Sequence, residues 1–147
     1  MYKHILVPTD GSKLSAMAVK AAIEFAREAH ARVTAFTAVP EYPVPNEIDL
    51  MNKRAISFPD YQRKAKASAK KTLRPVGARA RKAGVRYDED YALSDRPYEA
   101  IVDAAKKHGC DLIFMASHGR RGVSVLIHGS QTREVLSRSK IPTLVYR

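Results

Sequence analysis

Five short strand-like segments, most of them apolar, recur along the chain, each separated from the next by a stretch long enough for a helix, and this alternation leaves few folds open. Ile5-Leu6-Val7 sits in a strand of about 3–8. Val33 to Val39, Val85 to Leu93, Asp111 to Ala116 and Thr143 to Tyr146 follow. Helix 12–29 places Leu14, Met17, Ala18, Ala21, Ala22 and Phe25 on one face. A second helix, about 59–83, carries a narrow stripe of Ala65, Ala69, Thr72, Leu73, Val76, Ala80 and Ala83, and Pro75 predicts a kink or break near 71–75. A third opens with Pro97 and Glu99, buries Ile101, Val102, Ala104 and Ala105, and has Gly109 where a left-handed cap is expected. The segment from Pro40 to Pro59, with Pro43 and Pro45 inside it, reads as a mobile surface excursion. Strands alternating with helices imply right-handed crossovers. The expected fold is α/β: one domain over 1–147, an open five-stranded parallel sheet with helices on both faces.

Open sheets of this kind bind ligands beyond the carboxyl ends of their strands. Three segments should meet there: Pro8-Thr9-Asp10-Gly11-Ser12, Ala38-Val39, and 115–132. The last holds three of the seven glycines (Gly119, Gly122, Gly129) and runs from a strand through a basic loop to Ser130. A strand, a glycine loop and a helix start together make a phosphate cradle. A plain connection ending in a Ser N-cap explains the same spacing, and Asp10 reads as a ligand contact, with a helix cap as the alternative. Neither Gly-x4-Gly-Lys-[Ser/Thr] nor Gly-x-Gly-x-x-Gly is present, so two familiar phosphate folds lack support.

The formal charge is +11 with a pI near 10.0. Between Lys53 and Arg86 lie 12 basic residues and one acid, Asp60. This is either a polyanion-binding face or a solvated helix surface. A nucleic-acid-binding module on helix 59–83 is the alternative function, with Lys64, Lys70 and Lys71 as the residues whose charge reversal would separate it from nucleotide binding. Against it, Phe58, Tyr61 and Tyr87 lie only at the margins of the basic run, and no nucleic-acid motif is recognisable. Cys110 is the only cysteine and reads as a small core residue. No signal peptide precedes the first strand and no apolar run approaches a membrane span, so a cytoplasmic protein with no membrane partner is expected.

One set of motifs narrows the choice. His-Ile-Leu-Val-Pro-Thr-Asp-Gly-Ser (4–12), Asp111-Leu-Ile-Phe-Met-Ala-Ser-His-Gly119, Gly129-Ser130 and Ile141-Pro-Thr-Leu-Val-Tyr146 resemble the universal stress proteins over essentially the whole chain. The ATP-binding branch is marked by Gly-x2-Gly-x9-Gly-[Ser/Thr]; here Ala116, Gly119, Gly129 and Ser130 take those places, so Ala116 adds a methyl where the first glycine stands. The resemblance implies a Rossmann-like, adenine nucleotide hydrolase-like sheet in the order 3-2-1-4-5. It implies ATP binding, with Asp10 on the ribose, Pro8 and Thr9 beside it, and the Ala38 backbone on the adenine edge. Met115 would line the pocket, and Gly119, Arg120, Gly129, Ser130, Gln131 and Thr132 would surround the phosphates. His118 is read as orienting the loop. A homodimer through 143–147 and a stress-response regulatory role follow from the same resemblance. Magnesium or manganese would arrive with the phosphates rather than on a protein site. The loop offers no carboxylate, so hydrolysis is expected to be slow or absent, with no catalytic residue assigned. An adenylate-transferring enzyme would be expected to carry His-x-x-His, for which the single His118 of Ser-His-Gly is no substitute.

Overall fold

The computed structural model describes residues 1–117 and 130–147. Strand β1 (His4–Pro8) leads through helix α1 (Lys13–Glu28) to β2 (Arg32–Val39). A short helix α2 (Glu47–Met51) and the long α3 (Phe58–Lys82) precede β3 (Tyr87–Leu93). Then come α4 (Pro97–Lys107), β4 (Leu112–Ala116), α5 (Ser130–Arg138) and β5 (Thr143–Tyr146). The strands pair in parallel in the order β3-β2-β1-β4-β5, as expected.

Residue alternation along the strands divides the core in two. Ile5, Val7, Val33, Ala35, Leu112 and Phe114 face α1 and α3. Leu6, Phe36, Ile113 and Met115 face α4, with Val135 of α5 in the same cluster. Both sheet faces are therefore covered, which the near-continuous apolar strands require.

Three helices end in the same way. Ala31, Val85 and Cys110 donate their amides to the carbonyls of Ala26, Ala80 and Ala105, five residues back, at 2.8–2.9 Å. All six side chains are buried, so each reversal also closes an apolar contact. The intervening residue is left-handed: Gly84 (φ 68°) and Gly109 (φ 65°), but His30 (φ 53°) after α1. Cys110 is thus a helix-stop core residue, and burial pushes its thiol up to about 12.

Four expectations change. Helix α1 buries Ser15, Ala18, Val19, Ala22, Ile23 and Ala26, while Met17 is half exposed, so its inner face is rotated from the one expected. Helix α3 runs unbroken through Pro75. That residue is exposed, so water can serve the Lys71 carbonyl, which loses its i+4 donor, while Leu73, Val76 and Ala80 hold the helix to the sheet. Gly77 also belongs to the buried stripe, because a Cβ there would stand 3.0 Å from Tyr87 Cε1. The excursion after β2 contains α2, closed by a capping box between Asn46 and Asp49.

Two ionisable groups beneath α4 couple stability to acid. His4 Nε2 lies 2.7 Å from Thr34 Oγ1. Burial, then the positive charges of Arg32 and His108, depress its pKa below 6.5 despite Asp111 and Asp88. Burial pushes the Asp90 carboxyl up, but bonds from His108, Lys107 and the Tyr91 amide outweigh it and hold it below its usual range. Both shifts are downward. The stabilisation from His4 is complete above about 6.5 and drains away as pH falls through its lower folded value; that from Asp90 goes at still lower pH. The melting temperature should fall as the pH is lowered past 6.5, and His4→Asn should flatten that part of the profile. An unchanged slope in the variant would remove His4 as its cause.

Candidate functional site

All five strands run the same way, so their carboxyl ends share one edge, and the sheet opens there between β1 and β4. Five residue pairs join β1 to β2, but β1 and β4 pair only at Ile5–Leu112 and Leu6–Ile113. Proline explains where that ladder stops. Thr9 donates its amide to the Phe36 carbonyl on the β2 side at 2.8 Å. Backbone groups alternate along a strand, so position 8 faces β4, and Pro8 has no N–H to offer. The connection from β1 passes to one side and β4 lies on the other, which makes this gap the topological switch point where ligands of open sheets bind.

The turn after β1 is fixed by its own hydroxyls. Thr9 is buried, and its Oγ1 accepts from Ser15 Oγ (2.6 Å) and the Gly11 amide (3.2 Å). Ser15 Oγ accepts from the Asp10 amide at 3.3 Å. Asp10 Oδ1 accepts from the Ser12 amide at 2.9 Å, while Ser12 itself caps α1 through the Ser15 amide at 3.2 Å. Capping of α1 therefore falls to Ser12, and Asp10 is oriented one step earlier. Gly11, at φ 77°, makes the turn without Cβ strain. Sequence reasoning missed Ser15; its signal was a polar residue one helical turn beyond the cap, on the side that becomes buried.

Across the gap, Met115 and Ala116 are buried at the end of β4. Buried Thr132 sends Oγ1 to the Ala116 carbonyl (3.1 Å) and lies 3.3 Å from that of Ser117, tying the first turn of α5 to this strand end. Ser130 opens α5 and is exposed. Gln131 Oε1 accepts from the Tyr98 amide at 2.9 Å, supplying the N-terminus of α4 with the bond that Arg96, its N-cap, does not provide. Ala38, half buried at the end of β2, packs on the α4 side. The structure thus brings Pro8, Thr9, Asp10, Ala38, Met115, Ala116, Ser130, Gln131 and Thr132 to one edge. His118, Gly119, Arg120 and Gly129 lie outside the described residues. An open groove of about 840 Å³ continues from Ser117 and Thr132 and is lined by Leu14, Val145, Arg133 and Arg147. Among the described residues, no group of three or more His, Cys, Asp or Glu is placed to hold a metal ion.

The sequence model of the universal stress protein family matches residues 1–147. The chain belongs to the universal stress protein family. Universal stress protein MJ0531 of Methanocaldococcus jannaschii is 31% identical over 150 residues, spanning 100% of this chain and 83% of the relative. The solved structure of MJ0577, from the same organism, superposes with a TM-score of 0.80 at 27% identity, covering 99% of this chain and 95% of that one. A universal stress protein of Archaeoglobus fulgidus in complex with dAMP is 21% identical, covers 99% and 98% of the two chains, and shares the fold at a TM-score of 0.68.

Proposed function

We propose that this universal stress protein binds an adenine nucleotide, ATP in the first place, in the crevice between β1 and β4, and acts as a cytoplasmic stress-response regulator. The observation that carries the reading is the convergence of the Asp10 turn and the first turn of α5 at the gap where the β1–β4 ladder ends. In this arrangement Asp10 receives the ribose hydroxyls, with Pro8 and Thr9 beside it. The Ala38 backbone meets the adenine, Met115 and Ala116 form the floor, and Gly119, Arg120, Gly129, Ser130, Gln131 and Thr132 surround the phosphates, with His118 orienting the loop. The dAMP complex of the A. fulgidus relative supports an adenine ligand for this fold. Magnesium or manganese enters with the phosphates. No acidic residue occurs from Ser117 to Thr132, so this stretch supplies no carboxylate base, and turnover is slow or absent. The whole chain functions as one domain, and β5, at the end of the sheet order, pairs with a second copy.

Titration calorimetry with ATP and magnesium tests the reading. Micromolar binding is expected, and nothing tighter than millimolar would defeat it. Mass spectrometry of ligand released from the purified protein identifies the nucleotide, and sedimentation equilibrium should give twice the 16.4 kDa chain mass.

A further inference from the structure

The excursion between β2 and α3 contains a capped helix yet holds its apolar side chains in water. Val44 and Met51 are each 83% exposed, Ile48 67% and Leu50 61%, and α2 buries no residue. The segment is fastened at its base. Tyr42 donates to the Ile56 carbonyl, and its ring meets those of Phe58 and Tyr61 at 5.3 and 5.5 Å. Tyr61 in turn donates to the Pro40 carbonyl. Lys53 and Arg54 follow α2 directly. Beyond them α3 carries Arg63, Lys64, Lys70, Lys71, Arg74 and Arg81, all exposed. Among the described residues, Arg63 with Asp60 is the one ion pair recorded for this set. Over residues 41–86, 12 basic residues face four acids (Glu41, Glu47, Asp49, Asp60), an excess of eight.

We propose that residues 41–86 dock on an anionic lipid surface, with α2 in the headgroup layer and the cations of α3 over the lipid charges. Two features together favour lipid over nucleic acid. A polyanion would use α3 alone and leave the outward Val44, Ile48, Leu50 and Met51 without a role; a lipid surface engages both. The aromatics that a single strand would stack on are also committed: Tyr42, Phe58 and Tyr61 to one another, and Tyr87 to Gly77, the Leu73 carbonyl and Glu89. Glu47 and Asp49 oppose insertion of α2 by itself, so attachment depends on the α3 cations and is reversible. The expectation of no membrane partner rested on the lack of a span-length apolar run. No described helix is long and apolar enough to cross a membrane, and surface docking needs none.

The full-length protein should sediment with vesicles of phosphatidylcholine and phosphatidylserine and not with phosphatidylcholine alone. Changing Lys70, Lys71 and Arg74 together to Gln should weaken partitioning by about a hundredfold. Ile48→Ser with Met51→Ser should weaken it by about tenfold or more. The chain contains no tryptophan, so Leu50→Trp, or Met51→Trp as a second reporter, reads insertion directly through a blue shift on serine-lipid vesicles. The sites are exposed, and circular dichroism checks that each variant is folded. No partitioning into anionic vesicles overturns the proposal. So does partitioning with unshifted tryptophan emission and no effect of Ile48 and Met51, which would be plain electrostatic adhesion. Tighter binding to duplex DNA at the same salt, indifferent to Ile48 and Met51, would assign the face to nucleic acid instead.

Discussion

Asp10→Ala is expected to raise the dissociation constant for ATP by about tenfold to a hundredfold, the size of effect that follows loss of a charged hydrogen-bond acceptor. The variant should remain folded, because Ser12 rather than Asp10 caps α1, and the lost Asp10–Ser12 bond is local. The conservative change separates two roles. Asp10→Asn keeps an oxygen for the Ser12 amide and so preserves the turn, but it removes the charge that the proposed geometry turns toward the ribose. Under the proposed geometry its affinity falls between wild type and Asp10→Ala, while its melting temperature stays at the wild-type value. Calorimetry and thermal melts on the three proteins decide this. Equal affinity in all three would mean that Asp10 only shapes the turn, and the ribose assignment would be lost.

That ambiguity was already present in the residues. An aspartate two positions before a serine at the start of a helix fits a cap or a ligand contact, and nothing in one-dimensional spacing tells which side chain reaches the helix amides. The capping half is answered by Ser12, whose hydroxyl accepts from the Ser15 amide, and the turn before it is held by a hydroxyl that the sequence did not flag. Ser15 Oγ bonds both the Thr9 hydroxyl and the Asp10 amide. The same serine bears on α1's orientation. Leu14, Met17, Ala21 and Phe25 form one apolar row, and Ser15, Val19, Ala22 and Ala26 an adjacent row that is only slightly less apolar. Helical periodicity cannot choose between neighbouring rows. The contact of Ser15 with Thr9 agrees with the second, and Met17 is left at the surface.

Other features were legible because a single residue dictates them. Gly109 announces its left-handed helix end, and Gly84 stops α3 in the same conformation, whereas His30 adopts it without glycine and gives no warning. The strand order follows the family resemblance, and the parallel alternation follows from the apolar runs themselves. Pro75 misled because a proline's effect depends on what surrounds the carbonyl four residues earlier. On an exposed face, water can take the place of the missing donor. Pro8 is the converse case. A proline at the end of a strand says that pairing ends on one side, and only the register shows that this side is β4, which is why the crevice opens there.

Phe36→Ala should produce the largest loss of stability of any change considered, about 3–5 kcal/mol. The ring is 1% exposed on β2, in the cluster that joins the sheet to α4. Its removal would leave a void between rigid elements on both sides. Against the roughly 5–15 kcal/mol that usually separates folded from unfolded domains, a loss of that size leaves little margin. In urea the unfolding midpoint should fall while the slope is kept, since the native state buries the same surface apart from one ring. Phe36→Leu retains most of the volume and should cost no more than about 1.5 kcal/mol. The pair also tests how the core supports the crevice. Phe36 holds Thr9 through its main-chain carbonyl, at 2.8 Å, and not through its side chain. Phe36→Leu should therefore bind nucleotide as tightly as wild type despite its lower midpoint. If its affinity fell in step with its stability, the Thr9–Asp10 turn would depend on the packing beneath it, and the separation drawn here between core and site would fail.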